Sequence, residues 1–298
     1  MSPDTPTTDH GSPLAAELAR LAESVATEAA ELALRRRHQG IELAGTKSSR
    51  SDVVTAADLA VEQLIRDRIA AARPGDAVLG EEGGTGQQPP SGSPAAAVTW
   101  IVDPIDGTVN YVYGIPAWSV SVAAAVGDPA VGDPAAGGSV VAGCVVNPVT
   151  GEVFTAAAGH GARRNGESLT AAAQPPELAV SLVGTGFGYT AVNRAVDGWV
   201  AGQLLPQVRD IRRIGSASLD LCMVATGQLD AYYERGLNRW DHAAGGLVAA
   251  EAGYTVAGLA GRAADREFLL AAPAGLWDRL YDALRPLFAD PRGARGPQ

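Results

Sequence analysis

A chain of 298 residues with 46% hydrophobic content and a formal net charge of −10 is long enough for a substantial core split between two lobes. It is too acidic for the basic surface on which non-specific nucleic-acid binding depends. No stretch reaches the roughly 18 uninterrupted apolar residues of a membrane span, and the polar start Met1-Ser2-Pro3-Asp4 lacks the charged and apolar regions of a secretory signal, so a cytoplasmic protein without membrane or nucleic-acid partners is expected.

Residues 1–11 read as a mobile tail. Ser12 and Pro13 then supply an N-cap and a first helical position. Leu14, Leu18, Leu21, Val25 and Leu32 recur at helical spacing, and Arg35-Arg36-Arg37 fits a solvated helix end at the negative pole. A second helix is predicted over 55–72, with Thr55 and Asp58 spaced as a capping box, Val61, Leu64, Ile65 and Ile69 on the core face, and Arg73-Pro74-Gly75 as its stop. The stretch 83–97, rich in Gly, Pro, Ser and Gln, reads as a slack linker or a flap.

Strands are predicted at 98–102, 117–126, 140–146 and 152–157. Gly127-Asp128-Pro129-Ala130 is echoed by Gly132-Asp133-Pro134-Ala135, as in a low-complexity hairpin loop. Beyond it strand and helix alternate, with strands at 179–184, 229–234 and 268–271 and helices at 192–205, 216–225, 241–252 and 274–287, the pattern of an α/β lobe. Gly184-Thr185-Gly186-Phe187-Gly188 lacks the third glycine at the right offset and the later acidic residue of a dinucleotide fingerprint. Cys144 and Cys222 lie apart in apolar segments, and His10, His38, His160 and His242 do not cluster. Two buried thiols are expected, with no disulfide framework or thiolate zinc site. The expected organisation is a tail (1–11), a metal-binding lobe (12–147), an α/β substrate lobe (148–290) and a second tail (291–298).

The run Trp100-Ile101-Val102-Asp103-Pro104-Ile105-Asp106-Gly107-Thr108 carries the most chemistry. An apolar strand ends in two carboxylates three residues apart, followed by a backbone free to bend. Oxygen ligands suit a hard cation such as Mg²⁺ held beside a phosphate, and the NH groups of Gly107 and Thr108 can face an anion. The same residues also suit a plain polar turn. Two further acidic points follow the same logic: Glu81-Glu82 closes the apolar run Ala77-Val78-Leu79-Gly80, and Asp241 follows Trp240 before Ala243-Ala244-Gly245-Gly246. Alone, the first reads equally as a solvated turn and the second as a helix cap. An acidic chain can still bind a phosphate ester if cations reverse the local field.

Gly80-Glu81-Glu82, then Asp103-Pro104-Ile105-Asp106-Gly107-Thr108 with Asn110, then Trp240-Asp241, resemble in order the three signatures of the inositol monophosphatase family of Mg²⁺-dependent, lithium-sensitive phosphatases. Lys47-Ser48-Ser49, the segment from Asp52 to Asp58, Gly215-Ser216-Ala217 and Ala231-Tyr232-Tyr233-Glu234 extend the resemblance over nearly the whole chain. The resemblance implies a layered αβαβα sandwich, an active site between the lobes, homodimerisation and a small phosphorylated polyol as substrate. On that basis Glu81, Asp103 and the Ile105 carbonyl are expected to hold one Mg²⁺, and Asp103, Asp106 and Asp241 a second, with Glu81 touching a third, weaker ion. Thr108, supported by Asp58, is expected to orient the attacking water, although both residues also read as helix caps.

Gly107 and Thr108 are expected to hold the phosphate, with Asp106 and Asp241 also near the substrate. Lys47 is either a source of positive charge there or an exposed loop lysine. Glu234 is expected to accept substrate hydroxyls, as its counterpart does in the family, and Gly215, Ser216 and Ala217 to meet hydroxyl or phosphate oxygens. Which of Arg212 and Arg213 faces the cleft is open. Departures from the family pattern are Ala57 for Thr, Tyr111 for Phe and Ser218 for Ala, the last placing a hydroxyl near the substrate side. Inositol 1-phosphate is the expected substrate, with histidinol phosphate and broader sugar phosphates or fructose bisphosphate as rivals, and a regulatory binding protein on the same fold as the other class.

Overall fold

The computed structural model describes residues 12–41, 43–46, 53–87, 98–127, 138–172 and 174–289. The two expected tails, Lys47, the 88–97 part of the linker and the echoed loop from 128 onward lie outside the described residues.

Helix α1 (Pro13–Gln39) begins on its proline and packs beside α2 (Ala56–Ala72), with a short antiparallel pair, β1 (Leu43–Thr46) and β2 (Val53–Thr55), between them in sequence. Of the leucines expected to face the core from α1, Leu18 is fully buried whereas Leu14, Leu21 and Leu32 are only partly so. The contact is made mostly by small residues, Ala22, Ala26, Ala29, Ala30 and Ala33, which let the helix lie close on the sheet. Val61, Ile65 and Ile69 of α2 are completely buried, each stabilising the fold by about 1.5–3 kcal/mol over an exposed position.

The large sheet contains β3 (Ala77–Gly80), β4 (Gly84–Gln87), β5 (Val98–Asp106), β6 (Ser119–Val126), β7 (Ser139–Asn147), β8 (Glu152–Ala157), β9 (Gly161–Arg164) and β10 (Glu167–Leu169), in the order β10-β9-β8-β7-β6-β5-β3-β4. A short helix, α3 (Thr108–Tyr113), follows β5. The sheet therefore continues through Leu169, past the lobe boundary expected at 147/148, because the Asn147 turn returns the chain antiparallel onto β7 instead of releasing it. Strand β6 shows why the sheet is buried on both faces. Val120, Val122 and Ala124 join the core under α1 and α2, while Ala123 and Ala125 face a second core on the other side.

That second core is filled by α5 (Ala217–Ala225) and α6 (Arg239–Glu251), which form the middle layer. The second sheet, in the order β12-β11-β13-β15-β14, comprises β11 (Leu182–Thr185), β12 (Asp210–Arg212), β13 (Ala231–Glu234), β14 (Thr255–Ala257) and β15 (Leu269–Ala272). Its outer face is covered by α4 (Ala191–Leu204) and α7 (Ala274–Ala289). The result is the expected αβαβα sandwich. Strand β11 runs parallel to both neighbours. One crossover, α4, leads to β12 on one side, and the next, α5, leads to β13 on the other. A crevice must open at the carboxyl ends of such strands, the usual ligand position in open α/β sheets. Cys144 and Cys222 are buried free thiols, as expected.

Candidate active site

Strand β5 delivers the central acidic turn. Its ladder with β6 shifts register between Asp103 and Asp106, an irregularity of the kind that re-aims side chains. Gly107 then adopts φ +93°, and a Cβ there would come within 3.0 Å of the Gly215 carbonyl and 3.1 Å of the Ala117 carbonyl, so both conformation and space require glycine. Asp103 is 1% exposed and accepts the Ile105 NH through Oδ1 at 3.0 Å. Asn110, one turn into α3, donates to the Ala117 and Ile214 carbonyls at 2.7 and 2.9 Å, tying this turn to the segment before α5.

Asp58 serves two neighbours. Its Oδ2 accepts from the Thr55 NH at 2.8 Å and the Thr55 hydroxyl at 2.5 Å, completing the capping box. Its Oδ1 lies 3.3 Å from the Thr108 hydroxyl, which also lies 3.0 Å from the Ile105 carbonyl oxygen. Capping and contact with Thr108 therefore coexist in one buried carboxylate.

Glu81 reaches the same place because β3 is parallel to β5 with Gly80 paired to Val102. The Glu81 NH donates to the Val102 carbonyl at 3.3 Å, which sets Glu81 beside Asp103. The turn is held by Glu62, whose carboxylate accepts the Glu82 and Gly83 NH groups at 2.8 and 2.9 Å and pairs with Arg66 at 2.8 Å. A Cβ at Gly80 would meet that carboxylate at 2.5 Å. Glu62 was not singled out from the sequence; its spacing of four from Arg66 is the signal that marks it.

Asp241 lies in the first turn of α6 and accepts the Asn238 NH at 2.6 Å. It is a first-turn capping partner, with Asn238 at the N-cap. Small residues allow α6 to approach its neighbours closely: a Cβ on Gly143 would meet Ala244 Cα at 3.0 Å, and one on Gly245 would meet the Ser218 carbonyl at 2.8 Å. Burial, then the charges of Glu81 and Asp106, push the Asp241 carboxyl well above its usual range. Burial also raises Asp106, against the pull of hydrogen bonds from Ser218 and Ser216 and of the Ser218 and Ala217 NH groups.

The donor set is oxygen only, as a hard divalent cation requires. Buried carboxylates that raise one another's proton affinity are the environment a cation relieves. Among the described residues no group of three acidic, His or Cys side chains is closed into a preformed cage. The hydrogen bonds give the reason: Asp103 turns one oxygen to Ile105 NH, Asp241 turns one to Asn238 NH, and Asp106 turns Oδ2 to the serines of α5. The set fits Mg²⁺ chemically, with one oxygen of Asp103, Asp106 and Asp241 each engaged by protein.

Across the crevice, Glu234 ends β13. The Tyr232 hydroxyl donates to it, and a Cβ at Gly186 would collide with its carboxylate. Burial raises Glu234 to about 7, opposed by the Tyr232 hydrogen bond and the Arg213 charge. Arg213 is the arginine that faces the cleft, lying over Gly215 and acting on both Glu234 and Asp220. Arg212 pairs with Asp210 at 2.6 Å on the surface. Arg37, expected at a solvated helix end, instead donates to the Tyr111 carbonyl at 2.7 Å and braces the end of α3. Ser216 and Ser218 direct their hydroxyls at Asp106, so the hydroxyl expected near the substrate side is spent on a carboxylate. The structure thus brings together Asp58, Asp103, Ile105, Asp106, Gly107, Thr108, Gly215, Ser216 and Ala217, places Glu81, Asp241 and Glu234 within reach of their charges, and leaves Lys47 outside the described residues.

The family model described as the inositol monophosphatase family matches residues 14–289. The chain is 46% identical over 283 residues to the inositol-1-monophosphatase SuhB of Mycobacterium tuberculosis, covering 91% of this chain and 94% of the relative. A solved structure of Mycobacterium tuberculosis SuhB superposes with a TM-score of 0.74 at 43% identity, covering 94% of this chain and 98% of the other. An inositol monophosphate-bound SaIMPase-II superposes at 0.71 with 26% identity, covering 91% and 94%. Fold and relatives together define an enzyme that hydrolyses phosphate monoesters. The chain belongs to the inositol monophosphatase family.

Proposed function

We propose that this enzyme is a Mg²⁺-dependent phosphatase of inositol 1-phosphate, with Glu81, Asp103, the Ile105 carbonyl, Asp106 and Asp241 holding the cations. The observation that carries this reading is the Asp103–Thr108 turn, where Thr108 is met by Asp58 of α2 and Asp106 by Ser218 of α5, with Asp241 of α6 near enough to feel the charges of Glu81 and Asp106. Bound Mg²⁺ supplies Lewis acidity, a more acidic water and neutralisation of the charge that builds on phosphate and leaving oxygens.

The protein's own groups supply position. With its hydrogen directed to Asp58, Thr108 Oγ1 presents a lone pair that accepts a hydrogen from the attacking water and fixes its approach. The NH groups of Gly107 and Thr108 hold the phosphate, in a backbone conformation that only glycine enters freely. Ionised Glu234 accepts hydrogen bonds from polyol hydroxyls, held in place by Tyr232 and the absent side chain of Gly186. The support for the inositol reading is the name of the curated relatives and the ligand in the SaIMPase-II structure. Lithium inhibition, a homodimer and a cytoplasmic location belong to the same proposal; no described helix is long and apolar enough to cross a membrane.

Phosphate release with Mg²⁺ from inositol 1-phosphate, histidinol phosphate, fructose 1,6-bisphosphate and an adenosine bisphosphate, repeated with Li⁺, tests it. The highest kcat/KM is expected for inositol 1-phosphate, with inhibition by Li⁺. A preference for histidinol phosphate would overturn the substrate and keep the chemistry.

A further inference from the structure

Asp106 is enclosed by serines from two layers of the fold. Its Oδ2 accepts the Ser216 hydroxyl at 2.8 Å, the Ser218 NH at 2.7 Å and the Ser218 hydroxyl at 2.5 Å. The Ser218 hydroxyl also lies 2.7 Å from that of Ser119, which lies 3.4 Å from Ser216 Oγ. All three serines are at most 1% exposed, so none of these contacts is diluted by water. Ser119 is the β6 residue paired with Asp106 across the ladder. The carboxylate thus occupies the N-terminus of α5, where an anion is favoured, and takes the Ser218 NH of that helix.

We propose that Ser119 and Ser218 are positioning residues for cation binding, fixing Asp106 so that Oδ2 is committed to α5 and Oδ1 is the oxygen offered to the ion. The inference rests on Asp106 being a cation ligand and adds what sets that ligand's aim. Two further features support it. Oδ2 already carries three donors, which fills its acceptor capacity and leaves the second oxygen for another partner. The Ser218 carbonyl packs against Gly245 of α6, the helix that carries Asp241, so one residue contacts the Asp106 carboxylate and the support of Asp241. Partners behind a metal ligand orient it, and losing one commonly reduces metal affinity about 10- to 100-fold.

The test is Mg²⁺ binding by isothermal calorimetry, without substrate, to the full chain and to Ser218→Ala, Ser119→Ala and the double variant, with unfolding midpoints in EDTA as the structural control. Ser218→Ala is expected to bind Mg²⁺ about tenfold more weakly, with a somewhat lower midpoint in EDTA from the lost buried hydrogen bond. Ser119→Ala, whose hydroxyl meets Ser218 and Ser216 rather than the Asp106 carboxylate, is expected to show a smaller loss and also serves if Ser218→Ala fails to fold. The double variant is expected to fall close to Ser218→Ala, because the shorter contact of Ser119 is to Ser218 at 2.7 Å and that to Ser216 is 3.4 Å. Wild-type affinity in both single variants, or losses that multiply in the double variant, would overturn the inference. A lowered EDTA midpoint with unchanged affinity would assign the serines to packing and overturn it as well. Absence of Mg²⁺ binding by the unaltered chain would contradict the cation assignment itself, and this inference with it.

Discussion

The two walls of the cleft handle negative charge differently. On the large-sheet side, Asp241 is raised by burial and then by Glu81 and Asp106, acids pressing on acids. On the small-sheet side, Glu234 is equally buried and raised to about 7, yet it has the Tyr232 hydroxyl as donor and the Arg213 charge nearby. The first wall calls for an external cation, because carboxylates removed from water without a counter-charge are costly. The second has a hydroxyl donor and an arginine of its own, although Asp106 and Asp197 also press on Glu234 and Glu234 on Asp220, and a carboxylate so placed suits a neutral hydroxyl. On the proposed reading, one wall serves the chemistry on phosphate and the other reads the alcohol.

The largest effect should come from disturbing the support of the first wall. Glu62→Ala removes the carboxylate paired with Arg66, whose side chain is 11% exposed, and frees the turn that carries Glu81. A loss of about 3–5 kcal/mol is expected in denaturant unfolding; a loss below about 1 kcal/mol would place the pair among exposed ion pairs. Asp106→Asn should preserve the fold and lower phosphatase kcat/KM on the order of 100-fold or more, read by phosphate release beside circular dichroism.

Removing the second wall's acceptor should act on recognition instead. Glu234→Gln is expected to raise KM for inositol 1-phosphate roughly 10- to 100-fold, the value of a hydrogen bond to a charged group, while p-nitrophenyl phosphate, which has no polyol hydroxyls, is cleaved much as before. Equal losses on both substrates would erase the distinction between the walls. Gly186→Ala should shift KM the same way by displacing the carboxylate.

Proton binding separates the walls more gently. Ionised Glu234 is a stronger acceptor than its protonated form, and burial pushes its carboxyl up to about 7, so KM should rise as pH falls through 7 in wild type and lose that dependence in Glu234→Gln. For stability the sign is opposite. Asp241, Asp220 and Glu234 are all raised in the folded state, so their contribution is full below the unfolded carboxyl range and is lost as pH rises through the folded values. Mg²⁺ relieves only the first wall, and the rise in Tm it produces should be larger at about pH 8 than at about pH 5.5.

These walls also differ in how far they could be read in the sequence. The acidic turn after β5 is written in consecutive residues, Asp103 to Thr108, and the capping box of α2 in Thr55 and Asp58, because their contacts are local in the chain. Helix α2 and strands β6 to β8 were legible within a few residues for the same reason. The hairpin of β9 and β10 lies outside the strands predicted from the sequence, although Asn165-Gly166, both at positive φ, is a strong turn signal. Strands β12 and β14, of three residues each, are too short to show periodicity. Ser119, Ser218 and Gly186 matter through distant partners, up to 112 positions away or across the sheet, that leave no trace in spacing, and the spacing of Glu62 from Arg66 shows the pair but not the turn 20 positions on that it holds. The identity of Arg213 as the cleft-facing arginine needed the path of the chain after β12.

The most direct measurement is anomalous diffraction from crystals grown with Mn²⁺ in place of Mg²⁺. The account predicts peaks bounded by Glu81, Asp103, the Ile105 carbonyl, Asp106 and Asp241, with Asp106 reaching the ion through Oδ1. Mn²⁺ bound elsewhere, or no peak beside Asp103 and Asp106 in an enzyme that turns over with Mn²⁺, would contradict it.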